Sequence, residues 1–308
     1  MTPLLWGAVA LGAVVGAPLA LVPLRERLEP QELVPDGRFL TAGGYRLHYR
    51  DDGPSTGPVV VLIHGFAAWS FSWRQQITAL NAVGFRTISI DQIGYGASER
   101  PAALVYATDQ HALYHVAVLE TLGIQRCQIV GHSFGGRIAL QMALLAPERV
   151  ESLALICPEA IATERPPIAA VAALPVLGQA LAFYSLSPQL VRTGLAMLSG
   201  SDTWLTPAVV AGYAAPLSVR GSALAQVWQA RSPKDGILPV PQNLSAIRQR
   251  TVLLWGERDP VFPLQEGQKV EASLPNAGLI VYPGVGHLPH EEACDSVTHA
   301  LRTFLTNS

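Results

Sequence analysis

Apolar residues cluster in short runs along this chain, and polar punctuation separates the runs. Residues 38–42 and 45–50 alternate apolar and polar positions around Gly43-Gly44. That pattern predicts a β-hairpin closed by a two-glycine turn. Buried-type strands are then expected at 59–63, 86–90, 127–130 and 152–156, and again at 251–255 and 278–282. Helical periodicity fills most of the gaps, over 71–83, 109–122 and the stretch after Ser133, with a last helix over 289–305. Strands that alternate with helices predict an α/β chain with a mostly parallel, doubly wound sheet. No internal repeat interrupts this order.

One interval breaks the alternation. Residues 159–248, between the sixth and seventh predicted strands, are rich in Ala, Leu and Pro. Pro166, Pro167, Pro175, Pro188, Pro207 and Pro216 divide the interval into short helices. The expected organisation is a core of residues 37–158 and 249–308, with a helical insertion over 159–248. Residues 25–36 read as a linker.

The first 24 residues carry no charged side chain. As a helix that run reaches about 36 Å, enough for a hydrocarbon core of about 30 Å. Pro18 and Pro23 work against an unbroken helix, since proline removes a backbone donor. A secretory signal peptide is disfavoured because no basic residue precedes the apolar run. The expectation is a membrane anchor over residues 1–24, followed by Arg25 and Arg27, with the catalytic domain on the cytoplasmic side.

Composition narrows the function. Hydrophobic residues make up 49% of the chain, charged residues only 14%, and the net charge is −2. With no basic run, nucleic acid is not an expected partner. Cys127, Cys157 and Cys294 are too few and too scattered for a metal site or a disulfide framework. Neither a metal-ligand cluster nor a dinucleotide-binding glycine signature occurs, so no cofactor or metal is expected.

The candidate chemistry begins at Gly131-His132-Ser133-Phe134-Gly135, which lies between a predicted strand and a predicted helix. A G-x-S-x-G motif in that setting predicts a sharp turn that exposes the serine hydroxyl above the sheet. A serine nucleophile needs a base, and the base needs an orienting acid. Asp259 follows strand 251–255, and His287 follows strand 278–282 in the loop Pro283-Gly284-Val285-Gly286. Both lie just past the C-terminal ends of strands, where open α/β sheets gather functional groups. His290 is a rival base, but it begins the last helix and is expected at the surface or pocket rim. His132 is expected to pack away from the site. His48, His111, His115 and His299 have no partner pattern and read as structural. Glu159 and Glu257 are the rival acids.

On these motifs, from about residue 37 to the C-terminus, the chain resembles the serine-nucleophile branch of the α/β-hydrolases. The resemblance implies a triad of Ser133, Asp259 and His287. It also implies an oxyanion hole from the backbone N–H groups of Phe66, in His64-Gly65-Phe66, and of Phe134. The run Asp91-Gln92-Ile93-Gly94-Tyr95-Gly96-Ala97-Ser98 resembles a structural loop of the family. The insertion corresponds to the family's cap. Leu174, Leu177, Leu181, Phe183, Tyr184, Met197 and Trp204 from the cap, with Trp69, Phe71 and Trp73 from the core, are the expected pocket residues. An apolar pocket favours a small-molecule ester with apolar groups. The expected function is therefore carboxylic ester hydrolysis through an acyl-enzyme. The alternatives are a C–C bond hydrolase, another acyl hydrolase, or a small-molecule-binding module on the same fold. Relatives that act on haloalkanes or epoxides use an aspartate at the elbow, so the serine points to carbonyl chemistry.

Overall fold

A computed structural model describes residues 21–102, 106–161, 168–185, 187–234, 236 and 238–307 of the 308-residue chain. Eight strands form one sheet: β1 (Arg38–Ala42), β2 (Tyr45–Asp52), β3 (Val59–Ile63), β4 (Arg86–Ile90), β5 (Cys127–His132), β6 (Val150–Ile156), β7 (Arg250–Gly256) and β8 (Ala277–Tyr282). Their spatial order is β1-β2-β4-β3-β5-β6-β7-β8. The β1/β2 and β2/β4 pairs are antiparallel and the others parallel. The β1–β2 turn has φ of +58° at Gly43 and +86° at Gly44, which glycine alone adopts readily.

The all-apolar central strands are explained by burial on both faces. In β3, Val60 and Leu62 face Trp73, Ile77 and Leu80, with Val297, Leu301 and Leu305 in the same cluster. Ile77 and Leu80 belong to α1 (Arg74–Asn81). Val61 and Ile63 point the other way. They join a core with Val118 and Leu119 of α2 (Thr108–Thr121) and with Ile138, Ala139 and Met142 of α3 (Phe134–Leu145). Helices therefore cover both faces, as a doubly wound α/β fold requires.

The longer helices between β6 and β7 are α4 (Pro175–Ser185), α5 (Pro188–Leu198), α6 (Pro207–Ala214) and α7 (Ser222–Arg231); the first three begin at the predicted breaks Pro175, Pro188 and Pro207. Leu195, Leu205, Val210 and Tyr213 of this segment pack with Leu288 from the loop after β8 and with Ala68 and Phe71 from the loop after β3. The segment thus sits against loops at the C-terminal edge of the sheet. After β7 come α8 (Leu264–Ser273) and, past β8, α9 (Cys294–Thr306).

Two expectations change. The last helix does not run unbroken over 289–305. A one-turn helix, Pro289–Glu292, stops at Ala293 (φ −119°, ψ 43°) before α9 begins. Tertiary partners explain the break. Glu291 turns inward to Arg74, while Glu292 accepts hydrogen bonds from the N–H groups of Gly200, Ser201 and Gly286. The expected membrane anchoring over residues 1–24 is also overturned, and the cytoplasmic placement of the catalytic domain that rested on it loses its basis. Among the described residues no helix is long and apolar enough to cross a membrane. Residues 1–20 lie outside the described residues. Just past the apolar run, the chain folds onto the protein: the Glu26 carboxylate accepts from the N–H groups of Gly221 (2.8 Å) and Ala223 (2.6 Å) at the start of α7. Leu28 bridges to Val219 alongside.

Candidate active site

Ser133 is the residue between β5 and α3, and its backbone is forced into an unusual conformation. Its φ of +50° is rare for a residue with a side chain. The chain reaches that turn because two neighbours lack a side chain. A Cβ at Gly135 would overlap the Ile63 carbonyl oxygen, and one at Gly131 would sit 2.6 Å from the Gly135 carbonyl oxygen. The Ser133 carbonyl accepts from the Gly136, Arg137 and Glu159 N–H groups, and its own N–H donates to Ile156. Four backbone bonds thus hold the strained residue in place.

The Ser133 Oγ lies 2.9 Å from His287 Nε2, and His287 Nδ1 lies 2.8 Å from Asp259 Oδ2. The other carboxylate oxygen, Oδ1, accepts from the Val261 and Phe262 N–H groups at 2.8 and 3.0 Å. A carboxylate can only accept, so Nδ1 of His287 carries the proton and Nε2 presents its lone pair to the serine. All three side chains are buried. The His287 backbone is tied to the insertion through its N–H, which donates to Leu198 at 2.7 Å. Its carbonyl meets His132 Nε2 at 2.8 Å.

The Phe134 N–H opens α3, so no carbonyl of its own helix reaches it. The Phe66 N–H is aimed by His64, a residue to which the sequence pattern assigned no role of its own. His64 Nε2 accepts from the Gln92 N–H at 3.0 Å. Its Nδ1 therefore holds the proton and donates to the Gly65 carbonyl at 2.8 Å. The Gly65–Phe66 peptide is trans, so its N–H points opposite to the carbonyl that His64 holds. Burial pushes the His64 pKa down, which keeps the ring in that neutral form. The signal was in the sequence as His64 before Gly65, but its partner Gln92 comes from another strand end.

Asp91 supports the same loop from beneath. It accepts from the Ser70 and Ala97 N–H groups and pairs with His48 Nδ1 at 2.8 Å. Burial alone would raise its pKa, but His48, His64 and the Ala97 amide hold it at about 2. The structural reading of this loop and of His48 agrees with that packing.

A cavity of about 390 Å³ opens at Ser133 and His287. Phe66, Val191, Leu195, Leu198, Tyr213 and Leu288 are among its walls, together with His132 and His290. The expected lining is largely different. Trp73 is fully buried in the core behind β3, and Trp69 is buried with its indole N–H on the Gly212 carbonyl. Leu174, Leu177 and Met197 are exposed. Trp204 packs within the insertion, and Phe71 packs against it from the core. Leu181, Phe183 and Tyr184 belong to α4, but their side chains lie outside the described residues. The apolar face of α5 supplies the wall because the helix turns Val191, Leu195 and Leu198 toward the sheet edge. His290, expected at the surface or rim, is 1% exposed, and His132 faces the cavity rather than packing away from it.

The rival acids are engaged elsewhere: Glu159 pairs with Lys234 at 2.6 Å, and Glu257 accepts from the Gly284 N–H. Among the described residues one metal-capable group converges, Cys157 with Asp259 and His287, its donor atoms within 4.8 Å of one another. Burial, then the Asp259 charge, push the Cys157 thiol well up, so it stays protonated and is a poor ligand. The facing atoms of Asp259 and His287 are already bonded to each other.

The sequence matches the α/β hydrolase fold family over residues 58–293. It is 29% identical over 293 residues to the 2-hydroxymuconate semialdehyde hydrolase of Pseudomonas putida, covering 91% of this chain and 97% of that protein. It is 28% identical over 282 residues to haloalkane dehalogenase 2 of Mycobacterium tuberculosis, covering 89% and 96%. The solved structure of a thermophilic esterase from Thermogutta terrifontis aligns with a TM-score of 0.71 at 25% identity, over 88% of this chain and 98% of that one. The chain belongs to the α/β-hydrolase fold family, and it is a hydrolase.

Proposed function

We propose that this hydrolase cleaves carboxylic esters with apolar groups through a covalent acyl-enzyme on Ser133. The observation that carries the reading is the relay from Ser133 Oγ through His287 to Asp259, at 2.9 and 2.8 Å, with the acid's second oxygen fixed by two amides. His287 Nε2 takes the hydroxyl proton as Oγ attacks the ester carbonyl. Asp259 stabilises the imidazolium that forms. The carbonyl oxygen becomes an anion between the Phe66 and Phe134 N–H groups, each worth about 3 kcal/mol in comparable sites. His287 then gives its proton to the leaving alcohol. Water, deprotonated by the same ring, releases the acid. The segment 159–248 acts as a cap whose α5 face binds the apolar part of the substrate.

The likeness to a haloalkane dehalogenase does not favour that chemistry. Displacement of halide by a serine would leave an alkyl ether, which water does not cleave. C–C bond hydrolysis is the second reading, favoured by the 29% identity to the 2-hydroxymuconate semialdehyde hydrolase. A p-nitrophenyl ester series of rising acyl length tests the first reading. Turnover is expected to peak at one length and to fall by about 10³-fold or more in Ser133→Ala. Serine-dependent turnover of ring-fission dienoates without turnover of any ester would replace it with the second.

A further inference from the structure

A glycine inside a helix weakens it, since it frees the unfolded chain and packs no side chain. The other helical glycines of this chain have a steric reason. A Cβ at Gly178 of α4 would overlap the Ala172 carbonyl oxygen, one at Gly212 of α6 would overlap the Phe71 ring, and one at Gly267 of α8 would sit 2.8 Å from the Trp255 ring. Gly194 lies inside α5, and a Cβ there would meet nothing within 4 Å. Among the described residues it is the only glycine within a helix of which this is true. Neither crowding nor helix stability explains it.

Its position on the helix does. Residues three and four apart are neighbours on a helix surface. On one side of Gly194 stand Val191, three before it, and Leu198, four after it, with Leu195 beyond; all three line the cavity at Ser133, and so does Gly194. On the other side stand Leu190, four before it, and Met197, three after it, which are 48% and 74% exposed. Gly194 is itself exposed, so a molecule in the cavity can reach it. The α5 wall therefore has a notch at Gly194, open from the apolar cavity to an apolar outer row. The polar residues between these rows are engaged elsewhere: Arg192 pairs with Asp202, and Thr193 donates to the Gln189 carbonyl. A chain that leaves the cavity over Gly194 meets apolar surface on both sides of the notch.

We propose that Gly194 is a specificity-determining residue: the notch it leaves in α5 lets a long apolar chain of the substrate run out of the cavity onto Leu190 and Met197. The proposal rests on the ester-hydrolase reading of Ser133, and it makes long-chain esters the preferred class. Helix stability is given up at this position to keep the path open.

Gly194→Leu and Gly194→Ala test it. Both should fold, because replacing an unobstructed helical glycine by a better helix former is expected to raise the melting temperature by about 2–4 °C. Selectivity should move the other way. Each methylene that stays on apolar surface favours kcat/KM by about fourfold, so in the native chain p-nitrophenyl decanoate is expected to exceed the acetate by about tenfold or more. Gly194→Leu should cut that ratio by about tenfold or more, and Gly194→Ala by less. Alkyl acetates from methyl to decyl repeat the comparison with the long chain on the alcohol, and the series that responds identifies the chain that takes the notch. Each reading is a ratio on one protein, so a general loss of activity cancels. A ratio that Gly194→Leu leaves unchanged or raises in both series would overturn the proposal. Binding of methyl ketones from 2-butanone to 2-dodecanone to Ser133→Ala, with and without Gly194→Leu, needs no turnover. Affinity that climbs with length and is cut by Gly194→Leu, in a protein that turns over no ester, overturns the esterase reading and keeps the role of Gly194. Ester turnover whose length dependence ignores Gly194→Leu leaves the esterase reading standing alone.

Discussion

At the scale of single residues, Asp259 is the group on which the proposed chemistry turns. Its Oδ1 is committed to the Val261 and Phe262 amides, so in Asp259→Asn the amide oxygen must keep those bonds. The amide nitrogen then faces His287 Nδ1 and donates to it. That forces the proton onto Nε2, which can no longer accept from Ser133. The expected outcome is a fall in kcat of about 10³ to 10⁴-fold with little change in fold, read from steady-state rates alongside circular dichroism. An unchanged kcat would remove Asp259 from the mechanism.

Among the elements, the β5–α3 turn carries the tightest steric demand. Gly135 lets α3 approach the end of β3, where the carbonyls of Ile63 and His64 leave no room for a methyl group. Gly135→Ala should therefore push α3 away from the sheet. Overpacking of this kind costs about 1–3 kcal/mol, so a lower melting temperature is expected. Activity should fall further than stability, because Phe134 and Ser133 move with the helix. A variant with native stability and full turnover would show that the turn tolerates the methyl. The break at Ala293 illustrates a different control. The periodicity of 289–305 is helical throughout, but Glu291 and Glu292 have partners on distant segments, and those bonds outweigh one helical turn.

The molecule as a whole buries several neutral histidines. His64, His111, His115, His132 and His290 all have pKa values pushed down, by burial first; those of His111 and His290 lie at about 3 and that of His115 at about 4. In the unfolded chain each titrates near 6.5. Below that pH the unfolded state binds protons that the folded state refuses, so folding stability falls as pH drops from about 6.5 toward these values. Each ring contributes at most about 1.4 kcal/mol per pH unit across that window. The paired Asp91 acts in the same direction at lower pH, its contribution being lost as pH falls below the unfolded carboxyl value toward about 2. Thermal melts between pH 8 and pH 4 should be flat above pH 7 and fall steeply below 6.5. A melting temperature constant down to pH 5 would contradict the neutral burial of these rings.

Much of this was legible in the chain itself. Strand and helix positions follow from local periodicity, and the hairpin from two glycines that accept positive φ. Ser133, Asp259 and His287 are legible because each lies next to a strand end, and a parallel sheet brings strand ends together. What local pattern could not supply were pairings between distant segments. Helix amphipathicity does not say which loop an apolar face will meet, so Trp73 went to the core while Leu195 and Leu198 came to the cavity. His290 shows the same limit: in sequence it is one more histidine at a helix start, and burial against Trp73 and His132 gave it a place in the site. Short-range sterics and periodicity are properties of the sequence alone. Burial and tautomer of a side chain depend on which residues the fold brings beside it, and only the tertiary structure decided those.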